Sequence, residues 1–184
     1  MITFTGPVAP DVLLRPVAAG DAPALLRAAV RNREHLRPWD PHRDEEYFTL
    51  DGQQSRLADQ LAQTEEGRTA RWVLERDGEI AGAVGLTGIA AGHLRSAVLG
   101  YWIDAEQVGR GLATAAVRLV CRAADEELGL HRLEAGAAVA NTGSQRVLAK
   151  AGFERIGVAR GLLFLDGQWC DHVLHQLLLN DRRP

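Results

Sequence analysis

Glu106 to Ala116, EQVGRGLATAA, sets Gly109 and Gly111 one residue apart where a helical pattern begins. Glycine lets main chain approach a ligand closely, and the first turn of a helix carries unpaired N–H groups and the positive end of its dipole. That combination suits a phosphate. A nucleotide P-loop requires lysine and a hydroxyl directly after its last glycine, but Leu112 and Ala113 follow Gly111, which excludes it. A dinucleotide fingerprint wants a third Gly or Ala where Thr114 stands, so it matches two positions of three, with Glu134 near the expected acidic place.

Asn141 and Ser144 form a second pair, in NTGSQRVLAKAG. Asn141 suits a helix N-cap and puts Ser144 at the third helical position, so both can serve the helix end alone or face a ligand. Cys121 and Cys170 are too few and too distant for a disulfide scaffold or a zinc site. His172 and His175 differ by an odd step and point to opposite faces of a strand, and Cys170 with His172 is only two ligands, so no metal is expected.

The elements that position these residues begin with a strand over Asp11–Val17 and a helix capped by Asp21. NREHLRPWDPHRDEEYFTLDG has no steady period and reads as a lid-like loop or short helix, followed by a helix near Asp51–Glu66. Two β-rich runs meet at Asp77-Gly78, the dipeptide favoured by type I′ turns. SAVLGYWI is a third strand with Gly100 inside it, which suggests a bulge or a close backbone approach. The helix after Gly111 runs to about Leu128, with Ala113, Ala116, Val117, Val120, Ala124 and Leu128 on one face. A strand, a short helix ending near Gly152 and two strands about Asp166-Gly167 follow. The order β-α-α-β-β-β-α-β-α-β-β describes a mixed α/β domain around one sheet and argues against a doubly wound dinucleotide fold.

Bulk properties narrow the classes further. At 184 residues, 46% hydrophobic and 24% charged, with net charge −3, the chain reads as one soluble domain without a general basic footprint for nucleic acid. It has no apolar run of membrane-spanning length and no signal-peptide plan at its start, so a cytoplasmic protein, monomeric or homodimeric, is expected.

VGRGLA (Val108–Ala113) resembles the pyrophosphate motif Q/R-x-x-G-x-G/A of the GNAT acetyltransferase superfamily, matching at Gly111 and Ala113; Val108 replaces the first residue, with Gln107 one place early. LGYWI, VANTGSQRVLAKAGFERIG, LLFLDGQWCDHVL and NREHLRPWDPHRDE are similar to the RimJ/RimL branch, the ribosomal-protein N-terminal acetyltransferases, over about Asn32 to Leu179. The resemblance implies a single GNAT fold (α+β) spanning residues 1–184, with a central mixed, mostly antiparallel sheet flanked by helices. It implies acetyl-CoA as cosubstrate and a protein N-terminus, of alanine type on a ribosomal protein, as acceptor.

Residue by residue, it implies cofactor contacts from Val108, Gly109, Arg110, Gly111, Leu112, Ala113 and Thr114. A main-chain N–H near Tyr101, Trp102 or Ile103 would hold the acetyl carbonyl, with the strand splaying at Gly100. Ser144 matches a serine that protonates or stabilises the leaving thiolate, and Asn141 a cofactor-contacting asparagine. The glutamates that serve as base in relatives are replaced by Val98 and Leu163, and Glu134 reads as a solvated strand residue. Trp39, Asp40, His42, Trp169 and Asp171 flank the expected acceptor groove, where the tryptophans would pack on a peptide and the aspartates attract its amine; core or lid packing is the alternative for the tryptophans. A missing carboxylate base favours an α-amine over lysine, because its reference pKa is about 8 against about 10.4. Two other functions fit the same residues: acetylation of a small-molecule amine, and a coenzyme A-binding regulatory module without catalysis.

Overall fold

The computed structural model describes residues 2–183. Its eight strands are β1 (Gly6–Ala9), β2 (Val12–Pro16), β3 (Ala70–Arg76), β4 (Glu79–Ala90), β5 (Ser96–Ile103), β6 (Arg132–Ala138), β7 (Glu154–Leu165) and β8 (Gln168–Leu178). The helices are α1 (Ala22–Arg31), α2 (Arg33–Leu36), α3 (Leu50–Glu65), α4 (Leu112–Glu126) and α5 (Thr142–Lys150). They follow the order read from the sequence with β1 added, and the one-turn α2 is the short helix that reading allowed after Asn32.

β1 is four residues long and contains Gly6 and Pro7, so it carries no usable alternation. Pairing with β2 and the Trp72 indole N–H donating to the Phe4 carbonyl (3.1 Å) hold this end of the chain. Asp21 precedes α1 as expected but gives its helix no side-chain cap. Its buried carboxylate accepts two hydrogen bonds from Arg15 (both 2.8 Å) and one from the Ala18 N–H (2.8 Å). Burial pushes its pKa up, and these donors outweigh burial and hold it below the usual range. Asp77 and Gly78 (φ 53° and 77°) and Asp166 and Gly167 (φ 44° and 83°) take the paired positive φ of type I′ hairpins.

The strands lie in the order β1-β2-β3-β4-β5-β6-β8-β7, antiparallel except for β5 and β6. One face buries Trp72, Val84, Leu86, Leu99 and Leu133 beneath α4, which contributes Leu112, Ala116, Val117, Val120 and Ala124. Leu112 takes the inward place expected for Ala113. The opposite face packs Val73, Ile80 and Trp102 against Ala28 and Leu25 of α1.

One irregularity in this sheet positions the site. β5 pairs with β4 as far as Ile103, but with β6 only over Ser96, Ala97 and Val98. Beyond Val98 the two parallel strands part. Gly100 stays in register opposite Gly85, and the irregularity of that pair lies between Thr87 and Ala90, so Gly100 forms no bulge. The Asp104 N–H donates to the Ala81 carbonyl (3.0 Å), which by antiparallel alternation turns the main-chain groups of Leu99, Tyr101 and Ile103 toward the gap.

Candidate active site

The gap opens into a cleft of about 1430 Å³ that passes from the α4–α5 face of the sheet to the face carrying α1 and α3. On the first face, Gly109 (φ 82°) and Gly111 (φ 79°) shape the turn into α4, and a Cβ on either would meet no atom within 4 Å. The main-chain N–H groups of residues 109–114 find no acceptor among the described residues. They form a row of donors at the positive end of a 15-residue helix. Arg146 and Lys150 of α5 add positive charge to the same wall. This donor set fits a pyrophosphate.

Two contacts fix that turn. Arg110 leaves the cleft and pairs with both carboxylate oxygens of Asp11 (2.7 and 2.9 Å), holding the Asp11 carboxyl below its usual range. Buried Asp104 accepts from Arg31 (2.7 Å), Asn32 (3.0 Å) and the Glu106 N–H (2.9 Å), while Asn32 Oδ1 accepts from the Ala105 N–H (2.8 Å). Burial would raise the Asp104 pKa, but the donors prevail and lower it. The end of α1 is thereby tied to the segment leading into the glycine turn.

Asn141 caps α5, its side chain accepting from the Ser144 N–H (2.9 Å), which is the capping geometry its position allowed. Ser144 does more than end a helix. Its Oγ lies 2.8 Å from the Tyr101 hydroxyl, which also reaches the Ser144 carbonyl at 3.1 Å. When the phenol donates to Oγ, the serine hydrogen is free for another acceptor. Burial pushes the Tyr101 pKa up to about 12, with the serine hydrogen bond opposing it, so the phenol keeps its proton at neutral pH. Tyr101, expected only for its main chain, thus supplies a side chain as well. Strand alternation places Tyr101 beside Leu99, but nothing local relates it to a helix 43 residues on.

On the other face, Gly85 and Gly100 lie side by side as a bare floor. Trp102, Trp39, Asp40 and His42 line this half, and Asp40 pairs with Arg43 (2.8 Å). Trp39 is 40% exposed. A Cβ on Gly100 would meet nothing within 4 Å, so Gly100→Leu should leave the fold intact and fill the floor. We expect the KM of a substrate held on this face to rise about tenfold, the scale of a pocket altered by a few methylenes, with affinity for a phosphate-bearing ligand on the other face unchanged. Steady-state kinetics with each substrate varied in turn checks this.

Tyr101, Trp102, Ile103, Val108, Gly109, Gly111, Leu112, Ala113, Thr114, Asn141 and Ser144 all border the cleft. Trp169 and Asp171 lie outside its wall. Trp169 packs edge-on against Phe164, with ring centroids 5.6 Å apart, and Asp171 accepts the Gly161 N–H (2.8 Å) where β7 and β8 slip register. The exposed Leu163 is also off the wall, whereas Val98 is on it. Glu134 stands in register beside Val98 but is paired with Arg132 (2.6 Å).

Residues 11–154 match the family model described as "Acetyltransferase (GNAT) domain". The chain is 36% identical to "Probable N-acetyltransferase YjcK" of Bacillus subtilis, over 92% of this chain and 95% of that protein. It is 33% identical to the "[Ribosomal protein uS5]-alanine N-acetyltransferase" of Escherichia coli, over 94% and 90%. The structure of Mycobacterium smegmatis RimJ in complex with CoA-disulfide superposes with a TM-score of 0.87 at 35% identity, covering 91% of this chain and 81% of that one.

Proposed function

The chain belongs to the GNAT family of N-acetyltransferases, and from that premise we propose that it transfers the acetyl group of acetyl-CoA to the α-amine of an alanine-type protein N-terminus, on a ribosomal protein. The observation that carries this reading is the parting of β5 from β6, which joins a phosphate-binding helix end on one face to a bare glycine floor on the other. The alanine and the ribosomal protein rest on the activity named for the Escherichia coli relative.

When bound, acetyl-CoA supplies a thioester carbonyl activated toward amines and a thiolate leaving group. The N–H groups of residues 109–114 hold the pyrophosphate, so Val108 need not contribute a side chain. A main-chain N–H of Leu99, Tyr101 or Ile103 in the gap stabilises charge developing on the carbonyl oxygen. The Tyr101–Ser144 pair holds a proton at Ser144 Oγ for the departing sulfur.

Direct attack by the amine is supported by the state of the cysteines. Burial pushes the Cys121 thiol up to about 12, and Cys170 sits in the β7–β8 hairpin outside the cleft wall. The cleft exceeds the roughly 300–1,000 Å³ of a single small-ligand site, which supports an acceptor held beside the cofactor in one cleft.

The acceptor half has Val98 where a carboxylate base would stand, and Glu134 in register beside it is paired with Arg132. Deprotonating lysine rather than an α-amine at neutral pH costs about 3 kcal/mol more, at about 1.36 kcal/mol per unit. Greater basicity restores part of the nucleophilicity, so we expect a net preference of about tenfold for the α-amine. Intact-mass analysis of an alanine-terminated peptide with an internal lysine, beside its N-terminally blocked twin, tests this. A gain of about 42 Da, one acetyl group, is expected mainly on the free peptide. Faster acetylation of the blocked peptide would overturn the α-amine assignment.

A further inference from the structure

The acceptor half of the cleft is basic, which is unexpected for a groove that receives a cationic amine. Among its arginines, Arg43 is matched by Asp40 and Arg33 by Glu45. Arg56 of α3 and Arg71 of β3 are different: neither guanidinium has a carboxylate or hydrogen-bond acceptor among the described residues, and the Arg71 Nε is buried without a partner. Tyr47 lies against Arg56 and Arg43. Its ring centroid lies 5.3 Å from the Arg56 guanidinium carbon and 4.8 Å from that of Arg43. A ring face offers the Arg56 cation attraction but no in-plane acceptor, so the Arg56 fork gains no hydrogen bond from Tyr47. Burial and the neighbouring charges of Arg56 and Arg43 push the Arg71 pKa down.

Such an arrangement is costly unless an anion completes it. We propose that Arg56 and Arg71 form a receptor for a carboxylate carried by the acceptor, supplied by an acidic side chain in the first few residues of the peptide. This rests on the reading of the cleft as an amine-acceptor site. Arg71, Gly85 and Gly100 lie in one row across three strands, and the Arg71 side chain runs beside Gly85, so its head stands next to the glycine floor. At a strand spacing of about 4.8 Å and a rise of about 3.3 Å per extended residue, that row places the receptor about two or three residues along a peptide whose amine is at the gap. The free α-carboxylate of a small amino acid is the other source of the same chemistry, much nearer its amine.

The test is calorimetric binding, with coenzyme A present, of amidated alanine-terminated pentapeptides carrying Glu, Gln or Lys at position three, together with free alanine and alaninamide. The Glu peptide should bind about tenfold tighter than its Gln twin, the scale of a charge-assisted hydrogen bond, with Lys weakest. Arg56→Gln and Arg71→Gln should each erase most of that difference, and Arg71→Gln should not lower the melting temperature, since it removes an unmatched buried charge. Equal binding of Glu and Gln peptides by the native protein overturns the proposal. So does a melting temperature lowered by Arg71→Gln with the Glu preference intact, which would mark a structural arginine. If no peptide binds but alanine outcompetes alaninamide in an arginine-dependent way, the receptor stands and the peptide acceptor falls. Because binding is read without turnover, a Glu preference with no acetylation would refute the function above while supporting the receptor.

Discussion

Replacing Tyr101 by Phe or Ser144 by Ala should lower kcat by about 10²- to 10³-fold, within the range for losing a positioned proton donor. Acetyl-CoA KM should stay within about threefold, because the phosphate cradle is built elsewhere, on the turn at Gly109 and Gly111. The two hydroxyls lie 2.8 Å apart and act through one proton, so the double variant should cost little more than the worse single one. Ser144→Ala also leaves the Asn141 cap in place, since that bond uses the serine's main-chain N–H. A helix-end role alone would therefore leave kcat near its native value. The pH profile separates the cases further. A folded-state pKa near 12, above the ordinary value of about 10, means that the phenol keeps its proton below pH 10. The associated stability is fully present there and is lost only as pH rises from about 10 through 12. The native enzyme should show no tyrosine limb in kcat below pH 10. If both single variants retain kcat within about threefold, the proton-donor assignment is wrong.

Gly111→Val should weaken acetyl-CoA binding by about 10²-fold. At φ 79° a side chain is held in the left-handed region at a cost of about 1–3 kcal/mol, greater for a β-branched residue, and its bulk projects from the wall that carries the N–H row. Gly67→Val is a matched control. Gly67 also has positive φ (72°) and open space around its Cβ position, but it lies in the turn after α3, away from the cleft. Both variants should lose comparable stability in a thermal melt, and only Gly111→Val should lose affinity in titration calorimetry. Equal affinity in the two would show that the turn does not cradle the cofactor.

What is legible in the sequence is what local chemistry decides. The hairpin at Asp77-Gly78 is legible because the turn needs two positive φ values and those residues tolerate them. The glycine turn and α4 are legible because bare backbone and helical periodicity coincide there. β1 is not, because its four residues acquire strand geometry from β2 and from an indole donor 68 positions away. Trp169 and Asp171 have types suited to a peptide terminus, but the slip between β7 and β8 turns the Asp171 carboxylate toward Gly161. The Tyr101 hydroxyl depends on a contact with a helix 43 residues on, and the Arg56–Arg71 pair on how α3 packs against the strand that follows it, and neither leaves a local pattern. Asp21 illustrates the middle case: its place before a helix is readable, while the partner that claims its carboxylate comes from the strand before it.

The three residue pairs that join β5 to β6 have a consequence for how the molecule holds together. Strands β1 to β5 form one antiparallel run in chain order and β6 to β8 a separate antiparallel group, so the opening at the cleft also leaves the sheet with a narrow seam. The cohesion withdrawn from the strands is supplied from above. α4 buries Val117, Val120 and Ala124 in a core that includes Leu99 on one side of the seam and Leu133 on the other. The helix whose first turn carries the row of free N–H groups therefore also lies over the fracture line, in the one core that joins its two sides.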